Sequence, residues 1–99
     1  MAGKAKENDN TIFIGEKPFM NYVTSVIMQF TTKEEDTVYV KARGKFINKA
    51  VDVVEVARKR FLEDKIEIKN IEIDSEEFEN KEGRKVRVST ISIEMTKVK

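Results

Sequence analysis

Lys41-Ala42-Arg43-Gly44-Lys45-Phe46-Ile47-Asn48-Lys49-Ala50-Val51-Asp52 carries the reading of the fold. From Thr37 to Arg43 the chain alternates, with Val38, Val40 and Ala42 on one side and Tyr39, Lys41 and Arg43 on the other. That is the period of a strand with one buried face. Beyond it Ile47, Ala50, Val51, Val54, Ala57 and Phe61 recur at helical spacing and make one apolar stripe. Gly44 stands between the two patterns, where the chain must turn. The segment is a strand–turn–helix corner, and its four cations, Lys41, Arg43, Lys45 and Lys49, precede its first acid. Such a corner brings backbone N–H groups and basic side chains together, as a phosphate requires.

The same pattern occurs upstream. Thr11-Ile12-Phe13-Ile14, closed by Gly15, predicts a short buried strand. Pro18 suits a first helical position, and Phe19, Val23, Val26, Ile27 and Phe30 predict a helix of about three turns. Lys33-Glu34-Glu35-Asp36 is a polar connection to the next strand. Gly15-Glu16-Lys17-Pro18 is therefore a second strand-to-helix corner. In an open α/β sheet both corners would share the carboxyl-end edge, and their cations would form one rim. The second helix also carries Val53 and Val56, which widen its stripe beyond what one sheet face needs. A homodimer contact is the simplest reason.

In the last third Ile66 and Ile68 alternate, but Ile71 and Ile73 have slipped by one residue. Val86 and Val88 likewise give way to Ile91, Ile93 and Met95. A one-residue slip turns an apolar set to the other face. Two slips flanking the Asn80–Gly83 turn predict one long antiparallel hairpin, its base in the core sheet and its outer part, about 74–90, projecting as an arm. The alternative is a pair of strands buried on both faces. The expected order is β-α-β-α-β-β, an α/β (α+β sandwich) fold. Residues 1–10 read as a flexible tail and 11–99 as a single domain.

Composition narrows the function. The 99 residues suffice for one domain, with 39% hydrophobic and 37% charged residues. Nineteen Lys+Arg against eighteen Asp+Glu leaves +1, so only the distribution of charge can point to a polyanion. The chain has no histidine, cysteine or tryptophan. This removes histidine acid–base chemistry, Ser-His and Cys-His nucleophiles, disulfides and ordinary zinc sites. No apolar stretch approaches the ~20 residues of a membrane span, and no signal-peptide core is present. The expected setting is cytosolic, with neither a cofactor nor an enzymatic activity.

Other motifs carry less. There is no GxGxxG or Walker sequence, and Glu34-Glu35-Asp36 reads as solvated acids rather than a magnesium site. Phe13, Phe19, Phe30, Phe46 and Phe61 fall mostly on core faces rather than on a base-stacking platform. Asn21 lies one turn beyond Lys17, where it could reach a phosphate or cap the helix. The hairpin tip sets Glu76, Glu77, Glu79 and Glu82 against Lys81, Arg84, Lys85 and Arg87. Those charges could pair across the strands, or Arg84, Lys85 and Arg87 could enter a groove.

Ile14-Gly15-Glu16-Lys17-Pro18-Phe19-Met20-Asn21-Tyr22-Val23, Lys41-Ala42-Arg43-Gly44-Lys45 and Lys49-Ala50-Val51-Asp52 resemble the Alba family of archaeal chromatin proteins. Arg58 to Ile68 and Arg87-Val88-Ser89-Thr90-Ile91 continue the match at family spacing. The resemblance implies a fold similar to the C-terminal domain of translation initiation factor 3. It also implies homodimers whose arms flank double-stranded DNA in a cytoplasmic, nucleoid-associated setting, with RNA as a ligand of some members. On that basis Lys17, Arg43 and Lys45 are expected to meet phosphates, helped by Lys41, Lys49 and Asn21, with Arg84, Lys85 and Arg87 serving the arm. Arg60 and Phe61 fall where the family makes side-by-side contacts along DNA. Position 16, half of the family's basic pair, is Glu here. That departure, with the acidic arm, implies a weaker grip and no acetylation control at that position. An RNA-binding subunit and a protein-interaction module are the rival expectations.

Overall fold

The computed structural model describes residues 10–98. Its order is β1 (Thr11–Phe13), α1 (Phe19–Thr31), β2 (Thr37–Arg43), α2 (Ile47–Val56), β3 (Ile66–Glu79) and β4 (Lys85–Lys97). The tail expected over 1–10 lies outside the described residues except for Asn10. That residue is tied to β2: its side-chain amide donates to the Thr37 carbonyl at 3.0 Å, and its carbonyl accepts the Tyr39 N–H at 2.8 Å.

The strands form one mixed sheet in the order β1-β2-β4-β3. β1 and β2 are parallel, so a crossover must join them, and α1 supplies it. The other neighbours are antiparallel. Ile12, Val38, Val40, Ala42, Ile93 and Met95 point to one face and meet both helices there. Val23, Val26, Val38, Val40, Val53 and Met95 are fully buried, each worth about 1.5–3 kcal/mol of transfer free energy. Among the described residues no polar or charged side chain is buried. No helix among the described residues is long and apolar enough to cross a membrane. The far face of the sheet is uncovered among the described residues and carries Phe13, Tyr39, Lys41 and Arg43.

The two slips in the last third have different origins. In β3 a bulge between Ile68 and Asn70 leaves Lys69 unpaired. The bulge absorbs the slip: Ile68 opposes Met95, Ile71 opposes Ile93 and Ile73 opposes Ile91, all on the helix face. No bulge interrupts β4, so Val86 and Val88 do lie on the opposite face from Ile91 and Ile93. Beyond the Arg43–Thr90 pair β2 ends, and β3 and β4 continue alone around the Asn80–Gly83 turn. Gly83 has φ +82° there, and the Asn80 carboxamide oxygen accepts the N–H groups of Glu82 and Arg84.

α2 departs most from its predicted pattern. Its last turn, Ala57–Phe61, is a π turn closed by the Leu62 N–H on the Ala57 carbonyl at 2.9 Å. The extra residue rotates Phe61 outward, to 50% exposure, and brings Leu62 into the core at 5%. Val51 is also exposed. Phe13 is 63% exposed, contrary to its expected place in the core, because it shares the helix-free face of the sheet with Lys41, while Ile12 and Ile14 on either side are buried. Val53 is corrected as a dimer contact. Val53 is fully buried and Val56 packs on the same core, because α2 leans on α1 as well as on the sheet. That second neighbour within the chain accounts for the wide stripe. Pro18 stands one residue earlier than expected, as the N-cap of α1.

Candidate functional site

Because β1 and β2 are parallel, both corners lie at one edge of the sheet, and side chains join them. In the first corner the Tyr22 hydroxyl accepts the N–H groups of Gly15 at 2.9 Å and Lys17 at 3.1 Å. Those two amides are consumed within the corner and are not free to meet a ligand. Tyr22 is buried and sits one turn into α1, so its ring anchors the corner from beneath. The Gly15 and Lys17 carbonyls both accept from Lys49 Nζ at 2.7 Å. The ammonium also lies 5.1 Å from the centre of the Tyr22 ring. Lys49 thus braces corner one from α2.

The second corner turns through Gly44, φ +58°, into the short 3₁₀ turn Gly44–Phe46 and then α2. A Cβ on Gly44 would lie 3.1 Å from Val88 Cγ2, so the arm passes close over this turn. Lys45 approaches Glu16 at 4.0 Å, an exposed pair whose free energy is small. Arg43 makes a closer contact: its Nη2 is 3.0 Å from Glu76 Oε1, and its guanidinium lies 5.9 Å from the Phe78 ring centre.

The other predicted residues divide between rim and arm. Lys17 and Lys41 are exposed and, among the described residues, have no carboxylate at ion-pair distance. Asn21 is exposed in the first turn of α1, and its N–H donates to the Pro18 carbonyl. Arg84 and Lys85 are exposed beside the hairpin tip. Arg87 pairs with Glu77 directly opposite it, at 2.6 Å. Arg60 and Phe61 stand away from this edge, exposed in the π turn.

Arg43 and Lys41 line a groove of about 400 Å³ on the uncovered sheet face. Phe13 closes one end, Thr90 and Ser92 form the floor, and Glu72, Asp74 and Glu76 form the far wall. The sequence reading found the cations but missed what restrains them: Tyr22, Glu76 and Phe78. It also assigned no contact to Ile71 and Ile73, exposed at 52% and 77% on the helix side of β3. No local pattern signals these contacts, because each depends on how distant segments are brought together.

Residues 10–75 match the Alba family. The chain is 48% identical over 85 residues to the "DNA/RNA-binding protein Alba" of Methanocella arvoryzae, spanning 86% of each chain. It belongs to the Alba family. The structure of Alba from Thermoplasma volcanium superposes with a TM-score of 0.80 at 41% identity, over 88% of this chain and 99% of that one. ALBA1 from Trypanosoma brucei gives a TM-score of 0.70 at 26% identity, over 91% and 70%. The Alba fold is thus shared along nearly all of the chain, and the α+β architecture expected from the resemblance is the observed one.

Proposed function

We propose that this Alba-family chain is a non-catalytic nucleic-acid-binding protein that grips double-stranded DNA mainly through its phosphate backbone. The supporting observation is the shared rim: both corners at one sheet edge, with Lys17, Lys41, Arg43 and Lys45 exposed there. Lysine supplies mobile point charge and arginine a planar fork suited to phosphate oxygens. Lys49 stabilises the rim from behind. Each neutralised phosphate releases condensed counterions, so binding falls steeply with salt and varies little with sequence. Arg84, Lys85 and Arg87 would let the arm follow the minor groove.

The acting unit is a homodimer that doubles the rim. Val51, Ile71 and Ile73 supply its apolar contact: they are exposed, and Ile71 and Ile73 continue the helix face beyond the cover of α2. Arg60 and Phe61 serve contacts between neighbouring dimers on one duplex. On this reading the protein acts in chromatin organisation or gene regulation at the chromosome. RNA is the second ligand, since the Methanocella relative is named for both nucleic acids. Arg43→Ala is expected to weaken binding to unrelated duplexes about equally and to lower the salt slope by about one. Anisotropy titrations on DNA and RNA duplexes across a salt series read both quantities. A loss confined to one sequence would point to base readout instead.

A further inference from the structure

Arg43 is the last residue of β2 that pairs with the hairpin, opposite Thr90. Beyond this point the arm has two strands and no third to brace it. Glu76 and Phe78 are the arm residues that reach back to Arg43, and their cross-strand partners Val88 and Val86 share the Thr90 face. The guanidinium thus has a carboxylate at 3.0 Å and a ring centre at 5.9 Å, both from the arm. The residue proposed above to meet a phosphate is, in the free protein, held by an acid of its own chain. Glu76 occupies the Nη2 edge of the fork, and a phosphate arriving beside it would meet a like charge across the same guanidinium.

We propose that Arg43 is a latch shared between arm and ligand. Glu76 and Phe78 hold it when the protein is free, and a phosphate arriving at Arg43 displaces Glu76 and releases the arm. Both partners are more than half exposed, at 57% and 56%, so the pair is weak enough to be exchanged. A latched arm is an ordered arm, and its release at the moment of contact lets it settle along whatever groove lies beneath. The acid left behind repels the incoming backbone, so Glu76 also limits affinity. This inference rests on the reading of the rim for its ligand but not for the latch itself.

The test uses Glu76→Gln, Arg43→Ala and their combination. Glu79→Gln is the charge-matched control, since Glu79 has no ion pair among the described residues. In the free protein, amide exchange over 75–79 and 85–89 is expected to quicken about two- to fivefold in Glu76→Gln and in Arg43→Ala. The double variant should be no faster than either single one, and Glu79→Gln should match the parent. Unchanged arm exchange in Glu76→Gln, or an equal change in Glu79→Gln, overturns the latch. With mixed-sequence duplex, Glu76→Gln should bind about threefold tighter or more, and that gain should vanish when Arg43 is alanine. A gain that survives without Arg43 overturns the exchange. If the parent binds no duplex even at low salt, the reading of the rim fails, while the latch is still decided by exchange in the free protein.

Discussion

The ammonium of Lys49 lies 2.7 Å from two carbonyls of the other corner, and this changes which cations a ligand can use. A charge-assisted hydrogen bond is worth about 1.5–3 kcal/mol, so phosphate binding at Lys49 would forfeit more than binding at Lys17. The residues were readable as cations; their availability was not, because Gly15 and Lys49 are 34 positions apart and meet only through the fold. Glu16 is legible in both respects: it is an acid on the rim, 4.0 Å from Lys45. Glu16→Lys is expected to tighten duplex binding about tenfold at low salt and to steepen the salt slope by about one, read by anisotropy. An unchanged slope would place position 16 off the phosphate path.

At the scale of elements, what the sequence left hidden is where the backbone inserts a residue. The apolar spacing of α2 and β3 gave both elements in the right place, but a regular period cannot foretell a π turn or a bulge. The π turn moves Phe61 out and Leu62 in. The two neighbours should therefore respond unequally to truncation. Leu62→Ala is expected to cost about 2–4 kcal/mol of unfolding free energy in urea titrations, and Phe61→Ala less than about 1 kcal/mol. Equal losses would mean that the helix is regular in solution. The bulge at Lys69 acts in the opposite sense, because it keeps Ile71 and Ile73 on the face that Ile66 and Ile68 began. The sequence reading recognised the slip and gave it to the hairpin, but it could not tell a bulged strand from one that changes face.

For the whole molecule, two helices must cover four strands, and they do so incompletely. α2 reaches β2 and β4 but leaves the outer part of β3 bare, which is why Ile71 and Ile73 stay exposed on an otherwise buried face. Periodicity identified the order of elements, and the wide stripe on α2 suggested a partner surface. Part of that stripe, Val53, is buried within the chain, because the contact between α1 and α2 is a tertiary fact with no local period. Ile73→Glu is expected to shift the proposed homodimer toward monomer in sedimentation at micromolar concentrations, with the circular dichroism spectrum retained. A dimer as stable as the parent's would remove this face from the assembly.

The groove on the uncovered face has a further consequence. Lys41 and Arg43 lie on β2, and Glu72, Asp74 and Glu76 on β3, with β4 between them. The two strands are therefore about 10 Å apart, two strand spacings, and although Arg43 reaches across to Glu76, Lys41 makes no ion pair with Glu72 or Asp74. A molecule with a net charge of only +1 is drawn weakly toward a polyanion, yet this separation gives it a dipole moment. Near a duplex it would experience a torque before it experienced much attraction, turning β2 inward and β3 outward within roughly a Debye length. Charge balance here governs the angle of approach more than its speed.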